Sequence, residues 1–291
     1  MIYRSKAPLR IGLAGGGTDV SPYSDEYGGA ILNASVSLSA YCSIEPIEEN
    51  TIILRALDRK EEQRFEWASL LPVNGQLDLL KGVYNRIQKD FGISKKGFQL
   101  STFVDAPAGS GLGTSSTLVV AILGAFTEML KLPLGEYDSA HLAYQIERED
   151  LQLAGGKQDQ YAATFGGVNF MEFFEGDKVI VNPLRIKQEY LYELENNLVL
   201  YFTATSRESA GIIKEQVKNV NNKNEKSIEA MHQLKEQSRM MKEALLKGRL
   251  DEIGQILDFG FEQKRNMAAN AKPSFFSPDH PESVFANATH E

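Results

Sequence analysis

The chain has 291 residues, 31 Lys and Arg against 39 Asp and Glu, and a formal net charge of −8. An apolar fraction of 42% with 24 Gly and 10 Pro excludes a disordered or fibrous chain and leaves length for one large core or two modest ones. The acidic balance lacks the basic footprint of nucleic-acid binding, so no nucleic-acid partner is expected, yet a small anion can still be held by local Arg, Lys or helix N-termini.

The start, Met1 to Lys6, is followed by no long apolar segment of the secretory kind. Residues 9–19 read as a strand that ends in three glycines, a hydroxyl and a carboxylate. Val36, Leu38, Ala40, Cys42 and Ile44 alternate with Ser and Tyr, the period-two pattern of a half-buried strand. Cys42 is the one cysteine, which fits a reducing compartment. Its role is expected to be that of a small core residue, and with 4 His no Cys/His zinc site is expected. Residues 51–57 and 98–104 are strand-like, and 77–91 form an amphipathic helix with Leu80, Val83, Tyr84 and Ile87 on one face. Residues 117–130 are apolar nearly all round and predict a buried helix. The apolar run 118–126 is far short of the ~20 residues of a membrane helix, so a cytoplasmic protein without a membrane partner is expected.

A second helix is expected over 136–153, stopped by Gly155 and Gly156, followed by strands at 168–174 and 198–205. Ser206 is an expected N-cap for a helix to about 217, with further helices over 225–246 and 250–269. The change of character places a boundary near 185–195, dividing the chain into 1–190 and 191–291. From about residue 271 three prolines and the lack of any glycine after Gly260 predict irregular structure.

Three segments carry chemistry. Pro107-Ala108-Gly109-Ser110-Gly111-Leu112-Gly113-Thr114-Ser115-Ser116 joins a strand to the buried helix. Alternate glycines let backbone N–H groups approach an anion, the helix start adds its dipole, and the hydroxyls reach a phosphate or a metal. It is not a Walker A loop, because Thr114 rather than Lys follows the last glycine, and its G-x-G-x-G spacing is not that of the dinucleotide fingerprint. The second is Arg10 through Gly15-Gly16-Gly17-Thr18-Asp19. Asp19 accepts hydrogen bonds only and suits polyol hydroxyls; Arg10 is a fixed positive charge for a phosphate or a salt bridge. The third is Gly155-Gly156-Lys157-Gln158-Asp159-Gln160, where Asp159 suits the activation of a hydroxyl or, equally, a turn. Glu147, twelve residues earlier, is either a hard Mg²⁺ ligand or an ordinary surface carboxylate. Together they imply phosphoryl transfer from a nucleotide to a hydroxyl, with a phosphate cradle, a metal and a carboxylate beside the nucleophile.

The first segment resembles the phosphate-binding loop of the GHMP small-molecule kinases, and Ala7-Pro8-Leu9-Arg10 through Thr18-Asp19 resembles their N-terminal motif. The Gly-Gly-Gly-Thr-Asp form, Gly28 to Asn33 and Thr203 to Ser209 are most similar to the heptose 7-phosphate kinases and their fucokinase relatives. The resemblance covers roughly residues 1–269. It implies a two-domain α+β fold, with a mixed-sheet N-terminal domain and a helix-rich, ferredoxin-like C-terminal one. It implies ATP and Mg²⁺ as cofactors, and a nucleotide loop of Pro107, Gly109, Ser110, Gly111, Leu112, Gly113, Thr114, Ser115 and Ser116.

Further roles follow by position. Asp159 is implied as base or electrostatic positioner with Arg10 as its partner, and Ser115 and Glu147 as metal ligands. Gly16, Gly17, Thr18 and Asp19 are implied as sugar contacts, and Arg207 as a contact of a substrate phosphate. The implied reaction is phosphorylation of D-glycero-D-manno-heptose 7-phosphate at its anomeric hydroxyl, for nucleotide-heptose and surface-glycan synthesis. Partners are then a sugar phosphate and ATP. A fucokinase-like sugar 1-kinase and a non-catalytic sugar- and nucleotide-binding regulator are the alternatives. The family's glycine-rich third motif has no counterpart after Gly260, so a truncated or atypical C-terminus is expected.

Overall fold

A computed structural model of the chain describes residues 1–201 and 209–268. The order is β1 (Tyr3–Ala14), α1 (Tyr23–Tyr27), β2 (Gly29–Pro46), β3 (Thr51–Ala56), β4 (Glu61–Glu66), α2 (Asp78–Asp90), β5 (Phe98–Val104) and α3 (Thr114–Leu130). Then come α4 (Glu136–Gln145), α5 (Gln158–Phe165), β6 (Val168–Phe173), β7 (Val179–Pro183), α6 (Gln188–Asn197), α7 (Ser209–Asn221), α8 (Glu225–Lys247) and α9 (Ile253–Met267). Strands and helices mix along the chain, an α+β fold as the sequence implies.

The chain groups into two compact units. The first comprises Met1–Ile11 and Ser35–Gly166. In it the second half of β2 pairs antiparallel with β5, from Ala40 opposite Val104 to Pro46 opposite Phe98. β5 lies parallel to β3, and β3 antiparallel to β4. Leu80, Val83, Tyr84 and Ile87 of α2 are all buried, so the expected apolar face is the one that packs. Phe98 joins both helices to the strands, with its ring 5.8 Å from those of Tyr84 and Phe126. Burial pushes the Tyr84 phenol up to about 12, and its hydroxyl donates to the Ala68 carbonyl. α3 is buried on most of its circumference, so it is held by packing on every side rather than by one stripe. Cys42 is a buried free thiol, and its burial raises its pKa, which suits a core role.

Among the described residues the second unit comprises 12–34, 167–201 and 209–268. The first part of β2 pairs antiparallel with β6, from Gly29 opposite Phe173 to Ala34 opposite Val168, and β6 pairs antiparallel with β7. Tyr23, Val220, Ala230, Met231, Leu234 and Met267 form its buried apolar cluster. Gly260 lets α9 pass close to α8, because a Cβ there would overlap the Gln237 amide.

Residues 12–34 and 167–190 group with the helices α7 to α9. The physical reason is β2, one 18-residue strand that pairs with β5 along one half and β6 along the other. Three local expectations change. The helix expected over 136–153 leaves α-geometry after Gln145, passes through a π turn at Ile146–Asp150 and stops. Residues 198–201 are not a strand; Val199, Leu200 and Tyr201 are exposed, so their apolar run has nothing to pack on. The helix expected from 250 begins as a 3₁₀ turn, Leu250–Glu252. Ser206, Arg207 and the tail from 271 lie outside the described residues. Among the described residues no helix is long and apolar enough to cross a membrane.

Candidate active site

The glycine loop enters α3 through Gly113, which occupies the N-cap position with φ +75°, a left-handed conformation that favours glycine. Gly109 and Gly111 also have positive φ, at +78° and +80°. The first turn of α3 itself carries no acidic residue, so no carboxylate of its own stands at the positive end of its dipole. The Ser110 hydroxyl oxygen is buried and has no hydrogen-bond partner, a cost that a bound acceptor would relieve.

Arg10 of β1 ties this loop to α5. Its backbone N–H donates to the Leu112 carbonyl at 3.2 Å, and its Nη1 to the Gly111 carbonyl at 2.7 Å. Its Nε and Nη2 reach Asp159 Oδ1 at 2.8 and 2.6 Å. The pair is partly buried, with side chains 13% and 26% exposed. A Cβ on Gly113 would lie 3.4 Å from the Asp159 carboxyl and 3.6 Å from the Arg10 guanidinium, so the last glycine of the loop abuts the pair. Asp159 does not follow a helix-ending glycine pair, as expected, but stands in the first turn of α5. The segment before it wraps on Arg148, whose guanidinium donates to the Leu153, Ala154 and Gly156 carbonyls and fills the space a Gly155 side chain would take.

Glu147 is not a surface carboxylate. Its side chain is fully buried, and it sits in the π turn, closed by a Leu151 N–H to Ile146 carbonyl bond of 3.0 Å. An extra residue in one turn shifts the helix phase and re-aims the side chain, a device frequent at functional sites. Its Oε1 accepts from Ser115 Oγ at 3.0 Å, and its Oε2 from Gln160 Nε2 at 2.5 Å; that same nitrogen lies 3.1 Å from Ser116 Oγ. The structure therefore brings Ser115, Ser116, Glu147 and Gln160 together. Gln160 was missed by sequence reasoning, although it lies one residue past Asp159.

A cavity of about 210 Å³ opens one helical turn beyond the loop, lined by Leu118, Leu151 and Leu153 and by Val73, Gly75, Leu77 and Asp78. Lys81 in α2 reaches back to Asn74, between the lining residues Val73 and Gly75. It is fully buried, which is rare for lysine, and its Nζ donates to Asn74 Oδ1 at 2.6 Å. Asp78 accepts the N–H groups of Asn74 and Gly75 at 3.0 and 2.7 Å, closing the loop. No sequence motif signalled this cavity.

In the second unit, the turn 15–19 is held by buried bonds. Thr18 is fully buried; its hydroxyl lies 2.9 and 3.0 Å from the Gly15 and Ala30 carbonyls and accepts the Ala30 N–H at 3.1 Å. Its hydroxyl shapes the turn. Gly15 N–H donates to Gln237 Oε1 at 3.0 Å, and Gln216 Nε2 donates to the Gly17 carbonyl at 2.7 Å. Gly16 and Gly17 are half-exposed and Asp19 is buried. Arg207 lies outside the described residues.

Comparison with known proteins places these features in context. Residues 78–167 match the GHMP kinases N-terminal domain. The chain is 50% identical over 262 residues to D-glycero-alpha-D-manno-heptose 7-phosphate kinase of Campylobacter jejuni, covering 90% of this chain and 77% of that protein. It is 26% identical to the L-fucokinase/L-fucose-1-P guanylyltransferase of Bacteroides fragilis, over 92% of this chain and 31% of that protein. Among solved structures it superposes on a D-glycero-D-manno-heptose 1-phosphate kinase from Bacteroides thetaiotaomicron with a TM-score of 0.80 and 52% identity, over 91% of this chain and 79% of that one.

Proposed function

The chain belongs to the GHMP kinase family, and from that premise we propose that it phosphorylates D-glycero-D-manno-heptose 7-phosphate at the anomeric hydroxyl, giving the 1,7-bisphosphate. It is a sugar kinase, a phosphotransferase with an alcohol acceptor, and ATP is the co-substrate its family implies. The single observation that carries the finer reading is the Arg10–Asp159 pair set against Gly113 at the start of α3. An acceptor-activating carboxylate and a phosphate cradle then lie side by side.

Both contacts from Arg10 fall on Oδ1, so Asp159 Oδ2 is the oxygen we assign to the acceptor hydroxyl. It orients that hydroxyl and takes its proton as the bond to phosphorus forms. Arg10 holds the carboxylate in place, and its fixed charge offsets charge gathering on the transferred group. In a loose transition state such positioning does most of the work. The N–H groups of the loop from Pro107 to Ser116, with the free Ser110 hydroxyl and the α3 dipole, hold the phosphates. The leucine-lined cavity beside Leu118 takes the base.

The Ser115–Glu147 pair fits Mg²⁺. Both donors are hard oxygens, 3.0 Å apart, with Gln160 fixing the second carboxylate oxygen. Ser115 and Glu147 would hold the ion from the protein side, and Mg²⁺ commonly takes its remaining ligands from water and substrate phosphates. When bound, the ion neutralises phosphate charge and fixes phosphate geometry. In the second unit we assign Asp19 and the backbone of Gly16 and Gly17 to the sugar, with Thr18 holding the turn. The matched segment 78–167 falls inside residues 1–190, which supports taking 1–190 and 191–291 as the family's N- and C-terminal domains. ATP dependence and a lone thiol support the cytoplasm as the place of action.

ADP release tests this reading with Mg-ATP and four acceptors: heptose 7-phosphate, heptose 1-phosphate, fucose and unphosphorylated heptose. Turnover strongly favouring the 7-phosphate is expected. Preference for the 1-phosphate would favour the acceptor named for the Bacteroides thetaiotaomicron structure, and preference for fucose the fucokinase-like alternative.

A further inference from the structure

The half-exposed stretch of the turn 15–19 is Gly16 and Gly17, and two side chains of the same unit face it. A Cβ on Gly16 would lie 3.2 Å from Lys264 Nζ and 3.8 Å from its Cε; a Cβ on Gly17 would lie 3.2 Å from Gln216 Oε1. The ammonium of Lys264 thus comes to the bare backbone of the turn, where any larger residue at 16 would crowd it. Thr18 and Val20 N–H groups close onto the Gly15 and Gly17 carbonyls, whereas those of Gly16 and Gly17 donate to no described protein acceptor.

The lysine is carried there by a rigid support. It occupies the last turn of α9, and the end of that helix is pinned: the Met267 carbonyl accepts from Asn219 Nδ2 at 3.2 Å and from Ser227 Oγ at 2.7 Å. Gln216, itself buried, fixes the Gly17 carbonyl from α7. The neighbouring Arg265 pairs with Glu262 at 3.2 Å. A compact ammonium beside a backbone whose N–H groups meet no described protein acceptor is a receptor for a phosphate monoester, since lysine binds phosphate as a point charge and charge-assisted bonds are about twice as strong as neutral ones.

We propose that Lys264, with the N–H groups of Gly16 and Gly17, recognises the phosphate already carried by the sugar acceptor and so sets the preference for a sugar phosphate over the free sugar. This inference rests on assigning the Gly16–Asp19 turn to the sugar. It makes Lys264 a specificity-determining residue, with no part in the proton transfer.

The test compares wild type, Lys264→Met and Lys264→Arg. Kinetics use heptose 7-phosphate, heptose 1-phosphate and unphosphorylated heptose, and calorimetry follows heptose 7-phosphate binding without nucleotide. Lys264 is exposed, so both variants are expected to fold, checked by thermal melting. Lys264→Met should raise KM for the phosphorylated acceptor about tenfold, the scale of one lost charge-assisted bond, while KM for ATP and for the free sugar holds. Lys264→Arg should recover most of the loss. The two phosphorylated acceptors report whether one ester position or either is read. Equal losses on free and phosphorylated sugar, or none, would overturn the inference. If wild type turns over no heptose phosphate, the functional reading fails, and calorimetry still decides this one: weakened binding in Lys264→Met sustains it, and unchanged binding ends it.

Discussion

Arg10 and Asp159 meet through two nitrogens of one guanidinium on a single carboxylate oxygen, Oδ1. The second oxygen keeps its lone pairs for another group. Asp159→Asn keeps the shape and removes the charge. We expect kcat to fall by about 10²–10⁴-fold, the range for a lost general base, while ATP affinity by fluorescent-nucleotide titration holds or tightens as Arg10 loses its counter-charge. Turnover near wild type would remove Asp159 from the role assigned to it.

Gly111 and Gly113 share a left-handed backbone but not their surroundings. A Cβ at Gly111 meets nothing within 4 Å; one at Gly113 meets Asp159 at 3.4 Å. Alanine at either position should cost about 1–2 kcal/mol from the positive φ, read as a shift in the urea midpoint. Only Gly113→Ala should also lower kcat. Equal kinetic losses in the two variants would mean that strain alone matters there.

The Ser115–Glu147 pair predicts a metal titration. Glu147→Gln preserves an acceptor for Gln160 Nε2 and removes one negative charge, so the fold should persist. The Mg²⁺ concentration for half-maximal rate should rise at least tenfold, less so for Ser115→Ala, which loses a neutral ligand. Chelation by EDTA should abolish turnover in wild type. A half-maximal Mg²⁺ concentration unmoved in Glu147→Gln would place the ion elsewhere.

The Tyr23 hydroxyl lies 2.8 Å from His232 Nδ1. Burial and the nearby Lys235 hold the His232 pKa below its ordinary value, against an opposing pull from Glu229. Burial raises that of Tyr23, so the phenol stays protonated and donates. Below a pH of about 6.5 the unfolded chain takes up a proton that the folded imidazole refuses. The contribution to stability is therefore present above that pH and lost as pH falls through the depressed folded value. Urea midpoints at about pH 7.5 and about pH 5.5 should differ less in His232→Gln than in wild type. An identical difference would show that the pair does not report pH.

How much of this was legible in the sequence depended on distance along the chain. The apolar face of α2, the buried α3 and the glycine loop were readable because periodicity and glycine spacing are local signals. The π turn was not: one added residue in a helix leaves no trace in composition, so the sequence left Glu147 open between a metal ligand and a surface carboxylate, and its full burial was not foreseen. The Thr18 hydroxyl was visible in the sequence, but its acceptors, the Gly15 and Ala30 carbonyls, were not. Lys81 and Lys264 stood among ordinary lysines until their neighbours Asn74 and Gly16 were known. That one strand, β2, pairs with β5 along one half and β6 along the other was not legible, because those partners lie far apart in sequence.

The Gln237 amide accepts the Gly15 N–H at 3.0 Å and donates to the Ile256 carbonyl at 2.9 Å, and Gly260 leaves it room to do both. The glycine turn is therefore not a portable cassette. Residues 15, 237 and 260 form one packing unit spread over most of the chain. A chimera that takes its turn from one parent and its last two helices from another should carry all three positions from the same parent. Breakpoints that separate them would leave a buried amide without a partner, whatever the quality of the sugar contacts on either side.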